Sequence, residues 1–373
     1  MTVRRTVAWV VVPLLALSAC SADPDAGPGP ATVTATTSEP TPSNASGRPR
    51  VVAEVARGLA VPWGVDFLPD GRAVVTERDS KRVLLVDPDG GDPVVTGEVE
   101  EAAPQGEAGL LGVAVSPDFD RDRLVYLYVS TATDNRVVRA ELGDDDTLGP
   151  TEVVLDGIPL GPLHDGGRLA FGPEDGFLYV STGETGVGEL AQDTDSLGGK
   201  ILRITPDGEP APGNPDPGSP VWTLGHRNVQ GLAFDDDGTL WASELGASTH
   251  DELNRIEPGL NYGWPQAEGR SVEESFTNPR VVWSTNEASP SGLAWADGHL
   301  WMAGLAGVRL WRVEVTDGDA TDPADFFVGE YGRLRTVVTA PDGRLWVTTS
   351  NRDGRGAPTE SDDRILVVDP GVG

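Results

Sequence analysis

One phrase recurs six times along this chain and leaves few folds open to it: a short apolar strand, a turn built on Pro, Asp and Gly, then a second strand of alternating apolar residues. The copies pair residues 64–67 with 73–76, 111–115 with 125–129, 169–171 with 177–180, 232–234 with 240–243, 292–295 with 299–302, and 336–339 with 344–347. Apolar runs joined by Asp-Gly turns are hairpin signals. Most copies carry a third strand, such as 83–86, 200–204 or 309–313. Six such units at a spacing of roughly 45–60 residues, with no helical period between them, predict repeats that stack because none buries its faces alone. The expected fold class is all-β, a six-bladed β-propeller around a central channel, with a two-sheet sandwich array as the rival. Residues 51–55 lack a preceding hairpin and 365–368 a following one, so the two segments are expected to share a blade and close the ring.

The propeller accounts for residues 51–373. Ahead of it, Arg4 and Arg5 precede an apolar run over 7–17 and the tetrapeptide Leu17-Ser18-Ala19-Cys20. That is the layout of an export signal, and the tetrapeptide resembles a bacterial lipobox. Residues 1–20 are therefore read as a lipoprotein signal peptide, with Cys20 the lipidated residue of a cell-surface protein anchored to the outer face of the cytoplasmic membrane. Cys20 is the only cysteine, so no disulfide framework exists. Residues 21–50 are rich in Pro, Thr and Ser and hold almost no large apolar side chain, the composition of a flexible tether. A formal charge of −31 excludes nucleic acid as a natural partner and makes anionic membrane a poor one. Membrane contact is expected through the lipid anchor only.

Three segments depart from the repeated phrase, each at the start of a blade's first strand. They are Gly161-Pro162-Leu163-His164-Asp165-Gly166-Gly167-Arg168, the cluster Arg227-Asn228-Val229-Gln230, and Arg333-Leu334-Arg335. First strands line the channel, so these groups converge at one of its mouths. A histidine among several guanidiniums suits an anionic, oxygen-rich ligand.

With these segments, Gly106-Glu107-Ala108-Gly109-Leu110-Leu111-Gly112, Asp251-Glu252-Leu253-Asn254 and Asn261-Tyr262-Gly263-Trp264-Pro265, the chain resembles the soluble pyrroloquinoline quinone (PQQ)-dependent aldose sugar dehydrogenases, the glucose/sorbosone dehydrogenase family. The resemblance implies PQQ and calcium as cofactors, an aldose sugar as substrate and an external electron acceptor as partner. It implies that His164 is the general base, that Arg227 stabilises charge on the quinone and that Asn228 helps to hold it. Arg333 and Arg335, with Leu334 between them, match a clamp on cofactor carboxylates, Glu107 lies near cofactor and sugar, and Leu305, Ala306 and Gly307 line the cofactor pocket. Some members carry a lysine where Ala306 aligns, so one cationic contact is missing here. Main-chain carbonyls of Gly246 and Ala247 match the cofactor calcium site, and the Glu252 carboxylate with the Tyr262 carbonyl matches a second, structural calcium. Leu163 stands where some glucose-oxidising relatives have a carboxylate, and Glu268 where certain members have a tyrosine, so glucose specificity does not follow. Two other readings stay open at this stage. One is a propeller that only binds a glycan or protein; the other is a six-bladed lactonase, whose cage of carboxylates and amides fits poorly with a cationic channel mouth.

Overall fold

The computed structural model describes residues 47–371, so Cys20, the signal segment and most of the expected tether lie outside the described residues. Six four-stranded antiparallel sheets make up its regular structure. Helix is confined, among the described residues, to Phe119–Asp122 and a 3₁₀ turn at Gly188–Ala191. The innermost strands are Pro62–Phe67, Leu110–Val115, Leu169–Phe171, Val229–Phe234, Pro290–Ala296 and Leu334–Thr339. Each touches the next, and the sixth touches the first, which is a closed six-bladed propeller. The sixth blade runs Leu334–Thr339, Leu345–Thr349, Ile365–Asp369 and finally Arg50–Ala56. Chain-terminal strands thus share one sheet, as the unpaired segments implied, with Arg50 opposite Asp369 and a side-chain bond of 2.8 Å between them.

Every blade also has a fourth, outer strand that the repeated phrase did not reveal. Asp319–Phe326, for example, reads DATDPADF and is largely solvent-facing, so its apolar alternation is weak while its backbone still completes the sheet.

The seams between blades are filled from one position, the middle of the second strand. Trp241 of blade four packs with Leu293 and Leu300 of blade five. Trp301 of blade five packs with Leu334 and Val337 of blade six, and Trp346 of blade six packs with Val65 and Val75 of blade one. Tyr126 and Tyr179 do the same for blades two and three. A ring built this way buries the facing surfaces of neighbouring sheets, and its first strands are left to meet around the axis with their polar starting residues at one mouth.

Candidate active site

Residues His164 to Gly167 cross from the outer part of blade two to the first strand of blade three in a tight turn. His164 itself has φ 59°, and Gly166 and Gly167 also have positive φ. A side chain in the left-handed region is uncommon and concentrates at functional sites. The turn is clamped from both sides: His164 N–H donates to Glu107 Oε2 at 2.9 Å, and Gly166 N–H donates to Asn228 Oδ1 at 3.1 Å. Gly183 lies so close to the His164 carbonyl that any Cβ there would overlap it.

The imidazole has two fixed partners. Nδ1 lies 2.5 Å from Glu184 Oε1, and Nε2 lies 2.9 Å from Nη2 of Arg227. A guanidinium only donates and a carboxylate only accepts, so Nδ1 carries the proton and the Nε2 lone pair accepts from Arg227. Glu184 is only 2% exposed, which keeps its hold on Nδ1 out of bulk water. Arg227 is itself oriented by carbonyls: Nη1 donates to Leu245 O at 3.0 Å and Gly246 O at 2.6 Å. Its backbone N–H donates to Glu244, whose other oxygen bonds His226 Nδ1 at 2.9 Å. Burial pushes the Arg227 pKa below its ordinary value, against the pull of Glu184 and Glu244.

Beside this pair lies a cavity of about 200 Å³, lined by Trp63, Arg78, Glu107, Leu305, Arg333 and Arg335 among others. Its floor is Trp63, with the Arg168 guanidinium 4.3 Å from the ring centroid. Arg168 donates to Gln230 O and to Thr336 Oγ1 and has no carboxylate partner among the described residues, so burial pushes its pKa down. Arg333 and Arg335 converge on a single oxygen, Asp353 Oδ2, at 2.9 and 3.4 Å. Burial raises the Asp353 carboxyl, yet the charges of Arg335 and Arg333 outweigh it and hold the pKa below the usual carboxylate value. Glu107 is treated likewise: burial opposes ionisation, and the His164 N–H and Arg355 bonds prevail.

Asp165, next to His164, is the odd group of the cavity. It is 2% exposed; Oδ1 accepts from Asn135 at 2.9 Å and Gly161 N–H at 3.3 Å, while Oδ2 has no partner among the described residues. Burial pushes its carboxyl up to about 6. The folded form therefore holds this proton more tightly than the unfolded chain, whose carboxyl titrates near 3.9. Its contribution to stability is fullest below about pH 4 and is lost as pH rises through about 6. Asp165→Asn is accordingly expected to unfold at higher guanidinium concentration than the parent at pH 7.5 and at the same concentration at pH 4; equal midpoints at both would refute the assignment.

Most residues named from the sequence meet here, with corrections. Leu305 and Ala306 line the cavity. Gly307 does not; a Cβ on it would strike the Glu287 and Ala288 carbonyls, so it serves backbone packing. The Leu334 side chain faces away from the cavity: strand side chains alternate, so Arg333 and Arg335 share the channel face while Leu334 points into the seam with Trp301, leaving its main chain at the site. Asn228 is 1% exposed and braces the His164 turn.

At the expected metal positions, Gly246 O faces the Arg227 guanidinium. Ala247, Ser248, Thr249 and His250 all donate their N–H groups to one oxygen, Glu268 Oε1, at 2.8–3.1 Å. That convergence holds the Glu268 pKa down to about 2 despite partial burial and shapes the loop that carries the Gly246 and Ala247 carbonyls. Glu268→Ala is expected to speed amide exchange across 247–250 by about 10-fold or more, as read by hydrogen–deuterium exchange. Glu252 and Tyr262 lie together in a small pocket behind Arg227. Both Glu252 oxygens are engaged, by Gly269 N–H at 2.6 Å and Asn254 at 3.0 Å, and burial together with the Glu244 charge pushes its carboxyl up to about 8. No group of three or more His, Cys, Asp or Glu side chains forms a metal cage among the described residues.

Sequence reasoning missed Glu184, Glu244, Asp353 and Arg355. The three acids among them sit at or just after the end of a second strand, where Thr76-Glu77, Gly183-Glu184, Ser243-Glu244 and Asn351-Arg352-Asp353 mark a recurring polar tail. Aligning those tails across the repeats is the signal that finds them.

A model of the Glucose / Sorbosone dehydrogenase family matches residues 59–359. The chain belongs to the glucose/sorbosone dehydrogenase family. It is 53% identical to the PQQ-bound form of aldose sugar dehydrogenase from Streptomyces coelicolor, covering 87% of this chain and 98% of that one with a TM-score of 0.85. It is 32% identical to the uncharacterized protein slr1608 of Synechocystis, over 93% of this chain and 96% of that protein. Quinoprotein glucose dehydrogenase B of Acinetobacter calcoaceticus matches at 32% identity over 64% of this chain and 56% of its own length. The cavity lined by Glu107, Asp165 and the Arg333–Arg335 pair, with the bonded His164–Arg227 pair beside it, is thus the candidate active site of a glucose/sorbosone dehydrogenase family member.

Proposed function

We propose that this protein oxidises aldose sugars at C1 to lactones, with PQQ and calcium as cofactors, and passes the electrons to an external acceptor. The observation that carries the proposal is the imidazole of His164, protonated on Nδ1 by its bond to Glu184 and presenting Nε2 beside Arg227.

The donor set fits both cofactors. Arg78, Arg333, Arg335 and Arg355 line one cavity that holds only Glu107 and Asp165 as carboxylates, which suits a flat ligand bearing several carboxylates. The Leu245 and Gly246 carbonyls accept from Arg227 Nη1; a calcium ion, which takes carbonyl oxygens, would have to displace that contact to use Gly246. In this reading Arg333 and Arg335 hold the cofactor carboxylates, Leu305 and Ala306 flank it, and the Gly246 and Ala247 carbonyls hold the cation. When bound, the quinone supplies the two-electron hydride acceptor and calcium supplies Lewis-acid polarisation.

The chain's own residues supply the proton chemistry. His164 Nε2 takes the proton of the anomeric hydroxyl, and Glu184 stabilises the resulting imidazolium through Nδ1. As the C1–H bond breaks with its electron pair, C1 becomes a carbonyl, which in a cyclic sugar is the lactone. Arg227, whose bond to Nε2 is lost once that nitrogen is protonated, would be left to stabilise negative charge on the quinone. The same proposal places the enzyme outside the cytoplasmic membrane on a lipidated Cys20.

Adding PQQ and calcium to the apoprotein and following dye reduction with a panel of aldoses tests the reading. Saturable turnover is expected; turnover no greater than that of a His164→Ala control would sink it.

A further inference from the structure

Arg355 lies outside the three segments that the sequence singled out, on the loop after the second strand of blade six. Its side chain is 59% exposed, yet it lines the same cavity as Arg333, Arg335 and Ala306. The loop is bound to the other two arginines through one residue. Asp353 Oδ2 takes Arg333 and Arg335, and Asp353 Oδ1 takes the backbone N–H of Arg355 at 2.9 Å. Gly356 then folds the loop against Arg333: a Cβ there would lie 3.0 Å from Arg333 Cδ and 2.6 Å from the Asn351 carbonyl. Asp353 thereby gathers three guanidiniums on one side of the cavity. Arg355 differs from its two neighbours in being held only at its tip, where Nη1 donates to Glu107 Oε1 at 2.7 Å. Arg355 is the exposed side of this pair, at 59% against 19% for Glu107, so a ligand carboxylate in the cavity can compete for its guanidinium.

We propose that Arg355 is a third cationic arm of the cofactor clamp, contributed by the blade-six loop that borders the cavity with Arg333 and Ala306. The inference rests on the proposed function, since it takes the ligand to be a tricarboxylated quinone. On ligand binding, Arg355 exchanges its bond to Glu107 for a charge-assisted bond to a cofactor carboxylate, and Glu107 keeps its hold on the His164 N–H through Oε2.

The test is titration of calcium-loaded apoprotein with PQQ, followed by quenching of tryptophan fluorescence, with no sugar present. Arg355→Ala is expected to weaken PQQ binding by roughly 10–100-fold, the loss of one charge-assisted bond, while the thermal midpoint of the apoprotein stays unchanged because the side chain is exposed. Arg355→Ala combined with Ala306→Lys is expected to regain affinity, and Glu107→Gln to bind at least as tightly as the parent. Unchanged affinity in Arg355→Ala overturns the inference and leaves the proposed function standing. Equal weakening in Glu107→Gln also overturns it, because the pair would then act through Glu107. Absence of saturable PQQ binding by the parent protein overturns the proposed function itself.

Discussion

His164→Ala is expected to lower kcat for aldose oxidation by roughly 10²–10⁴-fold, the usual contribution of a placed general base, while the protein still binds PQQ. The expectation follows from an imidazole fixed between Glu184 and Arg227. Its backbone is held by Glu107 and the adjoining turn by Asn228, so removing the ring leaves the scaffold in place. Its Nε2 lone pair accepts from Arg227, so the guanidinium has to give way before the nitrogen takes a substrate proton. Glu184→Gln separates proton transfer from simple placement. The amide has the carboxylate's shape but cannot stabilise an imidazolium, so a smaller fall in kcat is expected, with the alkaline plateau of the pH–rate profile retained and its acid limb shifted. Stopped-flow reduction of the PQQ-loaded enzyme reads both variants; a His164→Ala protein that reduces at the parental rate would remove the base from the mechanism.

Asp353→Ala is expected to destabilise the apoprotein by about 3–5 kcal/mol, the cost of leaving buried charge without its partner. Here one carboxylate serves two guanidiniums, and its side chain is 2% exposed with Arg333 at 9% and Arg335 at 5%. Nothing else nearby replaces it: Arg335 otherwise reaches only Ser350 Oγ and Gln230 Oε1. The variant's guanidinium midpoint at pH 7 is the measurement. Because the Asp353 pKa is depressed in the folded protein, its stabilising effect is present above the unfolded value near 3.9 and is lost as pH falls below it. The gap between parent and variant should therefore narrow below about pH 4. An unchanged midpoint at pH 7 would show that the two arginines are already satisfied by solvent.

The ring was legible because its signal is repeated. Each Asp-Gly hairpin is weak alone, but six in series with one alternation pattern exclude folds that need helices, and the unpaired segments at 51–55 and 365–368 identify the closing sheet. The outer strands were not legible, because segments such as Asp319–Phe326 meet solvent on much of their surface and are recruited by backbone bonds rather than by apolar side chains. At the site, His164, Arg227, Arg333 and Arg335 stood out as polar groups where an apolar strand should begin. Leu334 was drawn in by its neighbours, although the two-residue period of a strand turns it to the other face. Glu184 and Asp353 stayed hidden because a carboxylate in a chain of 59 acidic residues carries no signal until its blade position is compared with the others. Arg355 escaped for a similar reason: it lies on a loop whose approach to Arg333 depends on the missing side chain of Gly356.

The sheet that carries Arg333, Arg335 and Asp353 takes its last two strands from segments 319 residues apart, as Arg50 and Asp369 show. Contacts of such long range are entropically late, and a polypeptide emerging from its N-terminus keeps Arg50–Ala56 waiting until Ile365–Asp369 arrives. The arginine pair is spaced locally by Asp353, but its juxtaposition with Trp63, Arg78 and Glu107 across the cavity needs the first and last blades to meet. A nascent or nicked chain should therefore carry the arginine cluster without the cavity it faces.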